Sequence, residues 1–233
     1  MSLKAIDVWK SLNSYGHHLP NVLLYGPPGT GKTTIAMSAG LTQGQEARRV
    51  NFTEDTPAAE VRGHYVPRGQ VWDWHDGPVM EAFRCGHRLV ADEITRASDD
   101  CLSFMLAVLD KLPVTLPSGE VITPHPSFSV WATTNDTPEA LPDALADRLT
   151  TRIHCDVVNP AALATLPAEH RKLVSTGKGG VTFREMAEFN RQVAAGVPDE
   201  VAVQLVWGSR AEEVFFALCG GVVAEAHREE VEA

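Results

Sequence analysis

The sequence predicts an α/β protein: a mainly parallel, five-stranded sheet layered between helices, followed by a small all-helical segment. Three features carry that prediction. Short apolar runs alternate with amphipathic helical stretches, a glycine-rich turn joins the first apolar run to a helix, and strand signals stop after Asn159-Pro160.

Residues 4–15 place Ile6, Val8, Trp9 and Leu12 on one face of a short helix, which the stretch from Gly16 to Pro20 ends. Asn21-Val22-Leu23-Leu24-Tyr25 is a buried strand, residues 33–39 a helix and residues 49–52 a second strand. A hairpin is expected through residues 64–74 and a helix over 78–85. Arg88-Leu89-Val90-Ala91 forms a third strand ending in Asp92-Glu93, after which Asp99 and Asp100 cap a periodic helix that stops near Lys111. Apolar runs on either side of Pro117-Ser118-Gly119-Glu120 give a second hairpin over 114–123. Residues 128–133 supply a fourth strand, 142–147 a helical turn and 152–155 a fifth strand. Beyond them only helices are expected, at 161–174, 182–195, 199–206 and 210–230, punctuated by the Gly177-Lys178-Gly179-Gly180 and Gly196-Val197-Pro198 breaks. This change of texture divides the chain into domains 1–157 and 158–233.

Composition excludes several classes. The 233 residues carry 30 Asp+Glu against 20 Lys+Arg, a formal charge of −10. That is the wrong sign for a general binder of nucleic-acid phosphates and leaves only a local basic patch open. With 44% hydrophobic and 21% charged residues, disorder is expected only at the two ends. Cys85, Cys101, Cys155 and Cys219 include no C-x-x-C pair, so they are expected as reduced, mostly buried thiols. Residues 1–10 lack the apolar run of a signal peptide, and the longest apolar stretch, 214–224, is well short of the ~20 residues of a membrane helix. A soluble, cytoplasmic protein without membrane insertion is expected.

Gly26-Pro27-Pro28-Gly29-Thr30-Gly31-Lys32-Thr33, followed by Thr34, matches G-x-x-x-x-G-K-[ST] with a strand before it and a helix after it. Glycines let backbone N–H groups turn inward around phosphate oxygens, and the helix N-terminus adds partial positive charge. Lys32 should reach the β- and γ-phosphates, and the Thr33 hydroxyl should coordinate Mg²⁺. The competing reading is a loop that only connects strand and helix. If the Leu89-Val90-Ala91-Asp92-Glu93 strand lies beside the first, Asp92 stands at the Mg²⁺ through its water shell and Glu93 polarises an attacking water. Taken alone, Asp-Glu after a strand also fits a helix cap with a solvated neighbour. Together these residues predict a Mg²⁺-dependent nucleoside triphosphatase with a P-loop sandwich core.

Trp131-Ala132-Thr133-Thr134-Asn135 resembles sensor 1 of AAA+ ATPases, and the segment from Leu141 to Leu149, with Asp147-Arg148, is similar to the one carrying their arginine finger. Gly77-Pro78, Ala82, Gly86 and Asp92-Glu93-Ile94-Thr95-Arg96-Ala97, with the 114–123 hairpin, are similar to the MoxR branch of the helix-2-insert clade. The resemblance covers residues 21–155 and extends to Val181-Thr182-Phe183-Arg184, which resembles the start of a sensor 2 helix although the preceding residues depart from the commoner pattern.

The resemblance implies that Asn135 hydrogen-bonds the attacking water or the γ-phosphate, the alternative being a cap for the Asp136-Thr137-Pro138 turn. It implies that Arg148 reaches into a neighbouring subunit's site, with Arg152 as a competing finger or interface salt bridge, and that Arg184 brings the helical second domain, a lid, over the nucleotide. Arg96 fits an interface or structural ion pair. Residues 59–77 correspond to the clade's inserted hairpin: Tyr65, Arg68, Trp72, Trp74 and His75 either face the ring opening and a substrate, or Trp72 and Trp74 pack on the core with Tyr65 at a subunit contact. Glu213, Glu225, Glu229, Glu230 and Glu232 suit a solvated helix face.

The activity so implied is hydrolysis of ATP to ADP and phosphate with Mg²⁺, carried by Lys32, Glu93, Asn135 and Arg148. The oligomer is a homo-oligomeric, hexameric ring that remodels, matures or activates a partner complex, often with a von Willebrand factor A-domain partner. A nucleic-acid or restriction-type motor fits the core but not the charge. A small-molecule P-loop kinase would not require the ordered Asp92-Glu93, Asn135, Arg148 series, and a nucleotide-gated scaffold would not require Glu93. GTP is disfavoured by the lack of an N-K-x-D signature.

Overall fold

The computed structural model describes residues 7–176 and 180–219. They form two compact units, one holding the chain up to Gly26 and Lys32–Cys155, the other holding Pro27–Gly31 and the chain from Asp156 onward.

In the first unit, α1 (Val8–Tyr15) starts at Asp7, whose carboxylate accepts from the Lys10 N–H at 3.0 Å. It leads into β1 (Asn21–Tyr25), α2 (Lys32–Ser38) and β2 (Ala47–Asn51). After α3 (Ala58–Arg62) come the antiparallel strands β3 (Gly63–Arg68) and β4 (Val71–Asp76), then α4 (Pro78–Cys85) and β5 (Arg88–Asp92). The chain continues through α5 (Asp99–Leu109), a second hairpin of β6 (Val114–Thr115) and β7 (Val121–Ile122), β8 (Ser129–Thr134), α6 (Asp143–Arg148) and β9 (Thr151–His154).

Five strands form one parallel sheet in the order β2-β5-β8-β1-β9. β5 and β8 are buried along their whole length, as parallel strands covered on both faces must be. Side-chain alternation splits the core in two. Leu23, Leu89, Ala91, Val130 and Ala132 join Met80 and Phe83 of α4 and Met105 and Val108 of α5. Val22, Leu24, Val90 and Trp131 join Trp9 and Leu12 of α1 and Ile35 and Ala36 of α2. The sheet therefore lies between two helical layers, the fold expected for a P-loop core.

The sheet order corrects one expectation: β5 does not lie beside β1, because β8 stands between them and pairs with both. Two helix boundaries also differ. Ser98, extended at φ −62°, ψ 158°, caps α5 through a bond from the Cys101 N–H, while Asp99 and Asp100 sit in the first turn, where their charge meets the helix dipole. The helix expected over 161–174 is two single turns, α7 (Pro160–Leu163) and α8 (Ala168–Arg171). Pro167 separates them, because it lacks an N–H and disfavours helical backbone at the residue before it.

The cysteines are all free and divide evenly, Cys101 and Cys155 buried, Cys85 and Cys219 exposed. Trp72 is 65% exposed and does not pack on the core, whereas Trp74 is half-buried against it, bonds Asp76 at 2.7 Å and takes the Tyr65 ring edge-on.

The second unit continues through α9 (Phe183–Ala194), α10 (Asp199–Trp207) and α11 (Ala211–Leu218). Met186, Phe189, Val203, Trp207 and Val214 fill its own apolar core. Thr182 and Glu185 form a reciprocal capping box at the start of α9. Residues 4–6 of the first expected helix, most of the 177–180 break, and Glu225, Glu229, Glu230 and Glu232 lie outside the described residues; Glu213 is exposed. Among the described residues no helix is long and apolar enough to cross a membrane.

Candidate functional site

Parallel pairing brings the carboxyl ends of β1, β5 and β8 to one edge of the sheet, where β1 and β8 end in the pair Tyr25 and Thr134. Beyond Tyr25 the chain needs a residue without a side chain. Gly26 has φ 134°, and a Cβ there would stand 2.7 Å from the Cys155 carbonyl oxygen. Gly29 and Gly31 also have positive φ, at 80° and 99°. Within the second unit, the buried Thr30 bonds the Pro27 carbonyl at 3.2 Å, and its own carbonyl accepts from the Asn159 N–H at 2.9 Å. Pro28 and Thr34 are exposed.

Lys32 opens α2 with its side chain buried. Its Nζ donates to the Gly26 carbonyl at 2.8 Å and to Asn135 Oδ1 at 2.9 Å. Asn135 Nδ2 in turn donates to Glu93 Oε1 at 2.5 Å. Lys32 offers only donors and Glu93 only acceptors, so one amide orientation satisfies both. Asn135 is thus a bridge between the two charged groups and does not cap the following turn; the Asp136 N–H bonds Thr134 Oγ1 instead.

The Thr33 hydroxyl donates to Asp92 Oδ1 at 2.8 Å, across the intervening β8. The same Asp92 oxygen accepts from Thr133 Oγ1, and Oδ2 accepts from Arg49 Nε at 2.9 Å. Burial is the largest single influence on the Asp92 carboxyl and pushes its pKa up. The donors Thr133, Thr33 and Arg49 together outweigh it and hold the carboxyl below the usual carboxylate range. Glu93 has left-handed backbone, φ 54°, and its N–H reaches Thr133 Oγ1 at 3.4 Å. Arg96 Nε lies 4.0 Å from Glu93 Oε2.

Lys32, Thr33, Asp92, Glu93 and Asn135 therefore form one cluster. Arg148 and Arg184 are not in it. Arg148 ends α6 and is gripped by Asp110 through two bonds of 2.7 Å, with a third to the Ala144 carbonyl at 2.8 Å. Arg152 donates to the Leu149 and Ala146 carbonyls, tying off the end of α6. Arg184 is an exposed residue in the first turn of α9.

Sequence reasoning missed two groups that hold Asp92. Arg49 reaches it from the edge strand β2, a pairing that no local pattern announces. Thr133 carried a signal: a hydroxyl at a fully buried strand position needs a partner. A hydroxyl beside a single carboxylate is a hard-oxygen donor set that suits Mg²⁺, an ion that keeps several waters and takes its remaining ligands from phosphates. Among the described residues no group of three or more His, Cys, Asp or Glu side chains forms a self-sufficient metal cage.

This sheet, its glycine turn and this cluster define a P-loop nucleoside-triphosphatase fold. Residues 21–149 match the family model of the AAA domain, dynein-related subfamily, and the chain belongs to that family. It is 28% identical over 190 residues to midasin of Dictyostelium discoideum, covering 76% of this chain and 3% of midasin. It is 36% identical over 123 residues to an uncharacterized protein of Staphylococcus haemolyticus, covering 50% of this chain. The chain spans 47% of that relative's length. A crystal structure from Cytophaga hutchinsonii superposes with a TM-score of 0.49 at 21% identity, covering 78% of this chain and 57% of that one.

Proposed function

We propose that the protein is a Mg²⁺-dependent ATPase of the MoxR-like kind, working in the cytoplasm as a homo-oligomeric, hexameric ring that remodels or activates a partner protein complex. The observation that carries this reading is the Lys32, Asn135, Glu93 chain of hydrogen bonds beside the Thr33, Asp92 pair.

Mg²⁺, when bound, supplies positive charge against the β- and γ-phosphates. Thr33 and Asp92 are the residues that would hold it. The backbone N–H groups of Gly26 to Thr34 receive the phosphates, and the Lys32 ammonium turns to them from its carbonyl and amide partners. Glu93, whose position is fixed by its left-handed backbone and by Asn135, accepts the proton of the attacking water. Asn135 keeps that water oriented. Arg148 stabilises the charge developing on the γ-phosphoryl group of a neighbouring subunit's ATP. For that it must exchange Asp110 for phosphate. Arg184 and the helical domain 158–233 act as a lid over the nucleotide. Arg152, tied to the end of α6 through Nε and one terminal nitrogen, suits a structural role better than a finger. A protein partner, a von Willebrand factor A-domain protein among the candidates, supplies the recognition, and the −10 charge argues against a nucleic-acid track.

A turnover and sizing series tests this. Wild type hydrolyses ATP, Lys32→Ala loses nucleotide binding, and Glu93→Gln binds without turnover and traps the oligomer. Mixing Arg148→Ala with Glu93→Gln restores activity, because one composite site regains both residues. Full activity of Arg148→Ala alone refutes the finger in trans. Phosphate release that requires a small-molecule acceptor refutes the ATPase.

A further inference from the structure

At the amino ends of the strands, one strand length or about 16 Å from their carboxyl ends, lies a pocket of about 350 Å³. We propose that it binds a small molecule carrying a phosphate or carboxylate group. Its walls include His17, His18, Gln45, Arg88, Lys111 and Ser129, and no acidic residue lines it.

Arg88, the first residue of β5, is 1% exposed. Its guanidinium lies 3.9 Å over the Trp131 ring and donates to the carbonyls of Ala36 at 3.1 Å, Ala39 at 2.5 Å and Gly40 at 3.3 Å. Nε is buried with no partner. These carbonyls satisfy donors but cancel no charge, and none of the described ion pairs includes Arg88. Burial alone lowers its pKa to about 10. Ser129, which opens β8 in the same wall, has a buried hydroxyl that is also without a partner.

Lys111 adds a second cation. It occupies the left-handed position that ends α5, φ 54°, where glycine is the least strained residue. The Lys111 N–H bonds the Val108 carbonyl at 3.2 Å and the Leu112 N–H the Ala107 carbonyl at 3.3 Å, which completes the helix stop. The ammonium is directed at the Phe128 carbonyl, 2.9 Å away. Burial lowers its pKa, and no carboxylate is paired with it. A desolvated guanidinium with an idle N–H, a half-buried ammonium, an idle hydroxyl and two histidines surround a space that holds more than a free ion and falls in the range of small-molecule sites, roughly 300–1,000 Å³. An oxyanion supplies both the acceptors and the missing negative charge.

The inference is independent of nucleotide turnover, and its test uses none. Thermal unfolding of Lys32→Ala, in which the glycine turn no longer competes for phosphate, is followed in inorganic phosphate and in citrate, against sodium chloride of equal ionic strength. At a tenfold excess over Kd the midpoint rises by about 4 °C, and the His17 and His18 ring resonances shift in parallel. A response to phosphate alone or citrate alone identifies the anion. Arg88→Met risks the fold, so the second variant is Lys32→Ala/Lys111→Gln, which loses the response. No rise above the chloride control in either anion, or an equal rise with Lys111→Gln, overturns the proposal.

Discussion

Thr133→Val removes one hydroxyl and almost no volume, so it isolates what that hydroxyl does. In the native protein Thr133 Oγ1 donates to Asp92 Oδ1 and accepts from the Glu93 N–H, at a position only 1% exposed. Valine leaves a buried carboxylate short of a donor and a backbone N–H short of an acceptor. A hydrogen bond to a buried charge contributes about 2 kcal/mol, so unfolding in urea should show a loss of that size, a fall of roughly 6 °C in melting temperature. The loss depends on pH. Asp92 titrates below the ordinary carboxylate range when folded, so its contribution is present above the unfolded pKa and disappears as pH falls through the folded one. The Thr133→Val deficit should therefore be full near pH 7 and shrink below about pH 4. Thr133→Ser restores the bond and the stability. A deficit under about 0.5 kcal/mol at neutral pH, or one that persists unchanged in acid, refutes the assignment.

Three further outcomes follow from single contacts. Gly26→Ala meets both a left-handed φ and the Cys155 carbonyl at 2.7 Å, and should cost about 2 kcal/mol or more by urea unfolding. Arg49→Ala frees Asp92 Oδ2 from a cation and should tighten Mg²⁺ binding measured by calorimetry; weaker binding would assign Arg49 to the metal site itself. Asp110→Asn releases Arg148 and should raise ATP turnover at low protein concentration without moving the melting temperature, whereas lower turnover would show that Arg148 works where it now sits.

The residues that meet in the cluster, and the glycine turn before them, were legible because each is written locally. The glycine turn, Asp92-Glu93 and Asn135 each occupy a short stretch whose strand and helix neighbours are themselves local patterns. What escaped depends on order and distance. No apolar run tells which strand it will pair with, so the insertion of β8 between β1 and β5 was invisible, yet it puts Thr133 against Asp92. Arg49 stands 43 positions before Asp92, and Asp110 stands 38 before Arg148, so neither ion pair leaves a spacing signature. Ser98 was hidden by the two acidic residues after it, whose preference for the first helical turn imitates a cap. Trp72 stayed open between the core and an exposed face because alternation alone does not say whether a hairpin packs on the sheet; on a two-stranded hairpin outside the main sheet, one face has nothing to bury against.

Asn135 concentrates the question of how the cluster works, because its amide contacts both charged groups at once. Asn135→Asp is isosteric and keeps an acceptor for Lys32, but it replaces the donor to Glu93 by a second carboxylate at hydrogen-bonding distance. Two carboxylates so close cannot both ionise easily, and one pKa of the pair must rise. If Glu93 works as the base, the acid limb of the turnover profile moves to higher pH in Asn135→Asp. Asn135→Ala removes both bonds without adding charge, so it lowers turnover and moves that limb far less than Asn135→Asp does. Pre-steady-state phosphate release across pH 5–9 separates the two. Identical acid limbs in the two variants would mean that Glu93 is not the group whose ionisation limits the reaction, and that the 2.5 Å bond from Asn135 serves only to hold the strand ends together.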